Sequence, residues 1–189
     1  MEKCPWAKAD PLLEAYHDQV WGRPVYNGQK LHELLVLESF QAGLSWLTVL
    51  KRYEGLKKAF ADFKWQKVAK YSEADVEWLM HDESIIRHRG KIEAAINNAR
   101  VLEKLAHSKI SLYDLIWEEV AYTQVVNHWQ DSREVPSLSP ASKRLAKKLK
   151  KLGFKFLGPT TCYALMQACG AVNDHLETCP CWQACQELG

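Results

Sequence analysis

Four residues, two near each end of the chain, have the chemistry of a tetrahedral metal site. His175 and Cys179 stand four apart in "NDHLETCPCWQAC", a spacing that aims an imidazole and a thiolate at one point from a helical turn or a tight loop. Cys4 and, thirteen residues later, His17 in "EAYHDQVWG" supply the same pair of donor types near the start. Cys4, His17, His175 and Cys179 would give a metal four protein ligands and no open position, the mark of a structural zinc that clasps the two ends of the chain. Spacing leaves two alternatives open. Cys181 or Cys185 can replace Cys179, and three protein ligands with a water would make a catalytic zinc.

A second candidate is a carboxylate. In "KLHELLVLESFQAGLSW", Glu38 shares a helical face with Leu31, Leu34 and Leu35, while Val36, Leu37 and Phe40 cover the other sides. The pattern predicts burial, which is unfavourable for a carboxylate unless it is paired or used. Downstream, Gly43 interrupts the helix and presents Leu44 and Trp46; upstream lie Tyr16 and Trp21. A carboxylate amid large planar rings suits a pocket for an extruded nucleobase, because stacking is worth about 1–3 kcal/mol per base and the carboxylate accepts from an exocyclic amino group. Neighbours on a helix point about 100° apart, so Tyr16 can face such a pocket while His17 faces the metal.

The elements that must position these groups read as helices. "KLHELLVLESF", "ADVEWLM", "GKIEAAINNARVLEKLA" and "LYDLIWEEV" carry the helical period and strand alternation is scarce, so the class is all-α. Breaks are expected from Gly22 to Gly28, around Gly55, between His107 and Ser111, and at Pro136 and Pro140. Next comes "SPASKRLAKKLKKLGFKFLGPTTCYALMQACG": a helix starting at Ser139 or Ser142, a hairpin from Gly153 to Gly158, and a helix with Pro159 at its first position. This resembles a helix-hairpin-helix, whose backbone N–H groups can cradle a nucleic-acid phosphate without reading sequence. Lys143, Arg144, Lys147, Lys148, Lys150, Lys151 and Lys155 cluster there and supply a local positive face. Cys162, Leu165, Met166 and Cys169 follow the core spacing, which assigns both cysteines to packing.

Composition bounds the rest. A chain of 189 residues, 47% apolar and 25% charged, can bury a core as one domain or two small lobes. A net charge of +2 excludes a polycation. There is no apolar run long enough to span a membrane and no signal-peptide pattern, so a cytoplasmic protein is expected, its six cysteines packing or binding metal rather than forming disulfides.

The motifs "YHDxxWG", "QAGLSWxTVL", "IIRHRGKIxAxIxNAR" and "GFKFxGxTxCYxxMQACGxVNDH", together with the Cys4/His17/His175/Cys179 set, closely resemble the bacterial 3-methyladenine DNA glycosylase I family over nearly the whole chain. The resemblance implies one glycosylase domain over 1–189 with a helix-hairpin-helix unit at about 142–170. A structural Zn2+ would join terminal segments 1–23 and 171–189. It implies a monomeric base-excision-repair enzyme of the bacterial cytoplasm that flips 3-methyladenine out of double-stranded DNA and hydrolyses its glycosidic bond. Glu38 would be the catalytic group, Tyr16, Trp46, Trp6 and Trp21 the base pocket, and Leu44 with Gly43 the wedge that fills the vacated space. Gly153, Lys155 and Gly158 would hold DNA.

Three positions depart from the pattern. Related helix-hairpin-helix glycosylases carry an essential Asp where this chain has Asn173; Phe156 stands at a usual hairpin glycine; and Leu13 stands where some members carry an aromatic. From Pro159 to Gly170 there is no lysine, which predicts an enzyme without lyase activity. The rival readings are a zinc-containing DNA-damage-binding module without catalysis and a zinc-dependent hydrolase.

Overall fold

The computed structural model describes residues 2–186. Met1 and residues 187–189, part of the terminal segments expected to pack together, lie outside them. The chain winds through helices α1 (Pro11–Gln19), α2 (Gly28–Gln41), α3 (Trp46–Lys51), α4 (Tyr53–Ala59), α5 (Trp65–Val68), α6 (Glu73–His81), α7 (Arg89–His107) and α8 (Leu112–Trp117). Strand β1 (Val125–Val126) follows, then α9 (Pro140–Lys151), α10 (Pro159–Ala168), strand β2 (Val172–Asn173) and α11 (Pro180–Gln186). No helix among the described residues is long and apolar enough to cross a membrane.

Two through-going helices join two hydrophobic cores. Leu31, Leu34 and Leu35 of α2 and Leu102 and Leu105 of α7 pack into one core with α8, α9 and α10. Val36, Leu37 and Phe40 of α2 and Ile92, Ala95, Ile96 and Ala99 of α7 pack into the other with α3 to α6. This explains the nearly all-round apolar sequence of α2: a helix between two cores keeps little solvent face, here its first turn, Glu33 and Gln41. Glu38 is carried between them.

Local chemistry sets the boundaries. Asp10 and Asn27 cap α1 and α2 by accepting from Leu12 and Lys30 amides. Ser139, not Ser142, caps α9; Ser142 answers from inside the first turn in a reciprocal capping box, and Pro140 and Pro159 take first-turn positions where no donor is lost. The break expected around Gly55 falls instead at Arg52, between α3 and α4. Gly55 lies inside α4, where a Cβ would sit 2.2 Å from the Ser84 carbonyl oxygen, so glycine there permits close approach rather than a turn.

The all-α expectation needs one amendment. β1 and β2 form a two-residue parallel pair, Val125 opposite Val172 and Val126 opposite Asn173. Such a short pair carries no periodic signature in sequence. It pins the loop after α8 against the segment leading to His175.

Candidate active site and metal-binding cluster

Trp6, Tyr16, Trp21, Glu38, Gln41, Trp46, Ala164 and Gln167 line one cleft of about 180 Å³. That is below the roughly 300–1,000 Å³ of clefts that take drug-sized ligands, so it suits one small planar group. Tyr16 and Trp46 stand 4.8 Å apart, and Trp6 meets Trp21 edge-on at 5.1 Å. Glu38 is 4% exposed and has no side-chain hydrogen bond among the described residues. Burial pushes its carboxyl up to about 8, which favours the acid form in neutral solution. Burial, followed by the field of Glu38, also raises the Tyr16 phenol. In the wall of the same cleft, Trp46 Nε1 is buried without a partner among the described residues. Unpaired polar groups inside a protein are rare; a carboxyl and an indole N–H together invite a polar aromatic ligand.

The turn after α2 joins two cleft residues, Gln41 and Trp46. Leu44 N donates to Gln41 O at 2.7 Å. Ala42 (φ −48°, ψ 118°) precedes Gly43 (φ +77°), which makes a type II turn with glycine at the position that requires left-handed φ. Leu44, at its exit, is 37% exposed. Neither Gly43 nor Leu44 lines the cleft itself, and Leu13 does not either.

The four expected metal donors converge. The ligating atoms of Cys4, His17, His175 and Cys179 all lie within 4.8 Å of one another, and all four residues are buried. His17 Nε2 faces His175 Nδ1 at 3.1 Å, Cys179 Sγ is 3.5 Å from the former and 3.8 Å from the latter, and Cys4 Sγ is 3.7 Å from His175 Nδ1. The other ring nitrogens are committed: His175 Nε2 donates to Trp21 O at 2.9 Å and His17 Nδ1 to Asp18 Oδ1 at 2.8 Å. Carbonyls and carboxylates only accept, so in the neutral rings the two facing nitrogens carry bare lone pairs. Hydrogen bonding from Cys4 also holds the Cys179 thiol well below its usual range, while the same contact pushes Cys4 up. Two lone pairs and a thiolate aimed at one point can hold a metal ion. Asp18 also approaches Cys181, the thiol offered as a substitute ligand, but that trio reaches His17 by its outer nitrogen.

At the hairpin, Lys143, Lys147, Lys150, Lys155, Phe156 and Gly158 border a shallow groove. Gly153 (φ +94°) and Phe156 (φ +58°) both take left-handed backbone, so the turn keeps at Phe156 a conformation usual for glycine. The basic face is smaller than expected. Arg144 pairs with Glu119 at 2.9 Å, and Lys148 pairs with Glu118 at 2.7 Å and Glu119 at 2.6 Å. The acids come from residues 118–120 after α8, too distant in sequence for a charge count along α9 to register.

A family model described as Methyladenine glycosylase matches residues 6–182. The chain belongs to the methyladenine glycosylase family. It is 47% identical over 182 residues to DNA-3-methyladenine glycosylase 1 of Escherichia coli, covering 96% of this chain and 97% of that protein. It is 44% identical over 179 residues to DNA-3-methyladenine glycosylase of Haemophilus influenzae, covering 95% and 97%. Among solved structures, a Tyr-to-Phe variant of 3-methyladenine DNA glycosylase I in complex with 3-methyladenine superimposes with a TM-score of 0.91 at 37% identity, over 95% of this chain and 97% of that one.

In this methyladenine glycosylase, Asn173 is occupied structurally: its amide nitrogen donates to Trp182 O at 2.9 Å and its oxygen accepts from His175 N at 3.2 Å. The carboxylate beside it is Asp174, 1% exposed. Asp174 accepts from Tyr163 Oη, Gln167 Nε2, Asn127 Nδ2 and Trp129 Nε1 at 2.6–2.7 Å. Sequence reasoning missed Gln41, Ala164 and Gln167 in the cleft wall. The signal for Gln167 was available, a lone amide in the apolar C-terminal half of α10.

Proposed function

We propose that the protein is a monofunctional DNA glycosylase that flips 3-methyladenine from double-stranded DNA and hydrolyses its glycosidic bond. One observation carries the reading: a buried, unpartnered carboxyl between aromatic faces in a cleft sized for one base. Methylation at N3 leaves adenine cationic and its glycosidic bond weak, because departure as the neutral base discharges the ring. Such a substrate needs extrusion and selection more than a strong acid, and extrusion costs a few kcal/mol.

In this scheme Trp46 stacks on the base, the Tyr16 hydroxyl hydrogen-bonds to it, Trp6 and Trp21 close the wall, and Glu38 is the catalytic group. Entry of a cationic ring favours the carboxylate of Glu38, whose proton passes to solvent; the carboxylate then accepts from the exocyclic amine and stabilises the developing sugar cation. Water attacks the oxocarbenium-like sugar. Leu44, presented by the Gly43 turn, fills the gap in the stack. The α9–hairpin–α10 unit acts as a helix-hairpin-helix, with Gly153, Lys155 and Gly158 at the phosphates. The cleft lining contains no lysine, which supports hydrolysis over a Schiff-base lyase. With its amide committed, Asn173 activates no water.

Zn2+ is the ion the donor set fits. Zn–N bonds near 2.0–2.1 Å and Zn–S bonds near 2.3 Å imply tetrahedral edges of about 3.3–3.8 Å; four of the six donor separations run from 3.1 to 3.8 Å, and the whole set lies within 4.8 Å. Cys4, His17, His175 and Cys179 would hold it, with Asp18 and the Trp21 carbonyl orienting the imidazoles. Four protein ligands give it a structural role.

The deciding experiment is release of free 3-methyladenine from methylated duplex DNA by the wild-type chain, Glu38→Gln and Trp46→Ala at matched folding. Release that falls in both variants is expected. A folded, metal-loaded protein that binds DNA but releases nothing would instead be a recognition module.

A further inference from the structure

We propose that Lys91 is a positioning residue for base extrusion, holding the Leu44 turn at a fixed reach from the DNA-gripping hairpin. The inference rests on the reading of Leu44 as the wedge. Lys91 lies in the first turn of α7 and is only 5% exposed. Its Nζ donates to Phe40 O at 2.7 Å and Ala42 O at 2.6 Å. Those carbonyls end α2 and open the type II turn, so one ammonium fastens both sides of the junction from which Gly43 and Leu44 project. It has no acidic partner among the described residues. The negative end of the α2 dipole stands in for one, and burial correspondingly draws the amine below the usual lysine range.

A methionine would fill the same space without desolvating a charge. What the ammonium adds is direction: two short bonds that fix where the turn points.

The same helix holds the hairpin. Asn98 clamps Lys155 from both sides, its amide nitrogen donating to Lys155 O at 3.0 Å and its oxygen accepting from Lys155 N at 2.8 Å. Asn97 donates to Gly153 O at 2.8 Å. Near the start of α7, the His88 ring lies 6.0 Å from that of Phe156. From Lys91 to Asn98 the helix rises about 10 Å, and α7 is thus a strut with the wedge turn fastened at one station and the phosphate grip at another. Extrusion requires both to act on neighbouring parts of one duplex. If the turn shifts relative to the grip, the wedge meets the stack out of register although the base pocket is intact.

The test compares excision of 3-methyladenine from methylated duplex and methylated single-stranded DNA, with binding of free 3-methyladenine as control, for wild type, Lys91→Met and Leu44→Ala. A single strand has no stack to fill. The expected result for Lys91→Met is a loss of about tenfold to a hundredfold on duplex, with single-strand excision and free-base binding unchanged. Equal losses on both substrates, or weakened free-base binding, would make Lys91 a structural residue only and overturn the proposal. A duplex-selective loss in Leu44→Ala without one in Lys91→Met would also overturn it while leaving the wedge standing. Leu44→Ala without duplex-selective loss removes the wedge reading and this inference with it. Should Lys91→Met fail to fold, Lys91→Gln, which keeps a donor, carries the same comparison.

Discussion

Tyr16 and His17 are adjacent on α1, yet the Tyr16 ring stands 4.8 Å from Trp46 in the cleft while His17 Nε2 stands 3.1 Å from His175 Nδ1 in the donor cluster. Trp6 packs against His17 at 5.2 Å, and Trp21 lies 4.6 Å from His175. One wall of the cleft is therefore built on the cluster.

Removing a metal bound there, or substituting His175→Ala, should then loosen that wall without deleting Glu38. The expected loss is about 4 kcal/mol of stability, or roughly 10 °C in Tm for a chain of this size, with excision weakened rather than abolished. Thermal melts beside metal analysis check this. Protein purified without chelator that contains no zinc, or an unchanged Tm after verified removal, would contradict it.

Glu38 makes stability depend on pH in a defined direction. Its folded value of about 8 lies above the ordinary 4.5, so between those values the unfolded chain has released a proton that the folded chain retains. Stability therefore falls as pH rises through that window and levels off above it. Glu38→Gln lacks the effect. The variant should match the wild type near pH 4.5 and exceed it by roughly 4 kcal/mol near pH 8.5, while losing excision. Denaturant melts across the range decide the point, and a difference that does not vary with pH would refute it.

The division of basic residues at the hairpin predicts unequal salt effects. Lys143→Ala or Lys147→Ala should reduce the slope of log affinity for duplex DNA against log salt by about 1. Arg144→Ala and Lys148→Ala, whose charges are spent on Glu118 and Glu119, should leave it nearly unchanged. Equal slopes for both pairs would place the phosphate track elsewhere.

Asp174→Asn should be harmful despite its near-identical shape. The amide keeps one accepting oxygen but turns the other into a donor facing groups that already donate. A cost of about 1–3 kcal/mol in unfolding free energy is expected, with Gln167 displaced in the cleft wall. A wild-type melting curve would mean that the donors find water.

Much of this arrangement was legible in the sequence because its signals are local or chemically distinctive. The period of α2 announced a buried Glu38, and a Cys/His set with two members at each end is uncommon enough to suggest convergence. Ser139 and Ser142 both offered a helix start, and only the reciprocal bonds between them distinguish cap from third residue. What escaped notice depends on distant partners: Glu119 neutralising Arg144, Asp174 gathering donors from α10 and the loop after β1, and Ser84 pressing on Gly55. Gly55 read as a break because the contact that explains it comes from a residue twenty-nine positions away.

The two imidazoles of the donor cluster are separated by 158 positions in the chain. A polypeptide is made N-terminus first, so Cys4 and His17 leave the ribosome long before their counterparts exist. The core that ends at Ala99 can assemble during that interval; the core that runs on to Val172 is completed only just ahead of His175, and the coordination sphere later still. Metal capture by this cluster would thereby be a late event in biogenesis, and a chain truncated ahead of His175 has only half the donors. An ion bound there would record that translation passed this point and that the ends found each other.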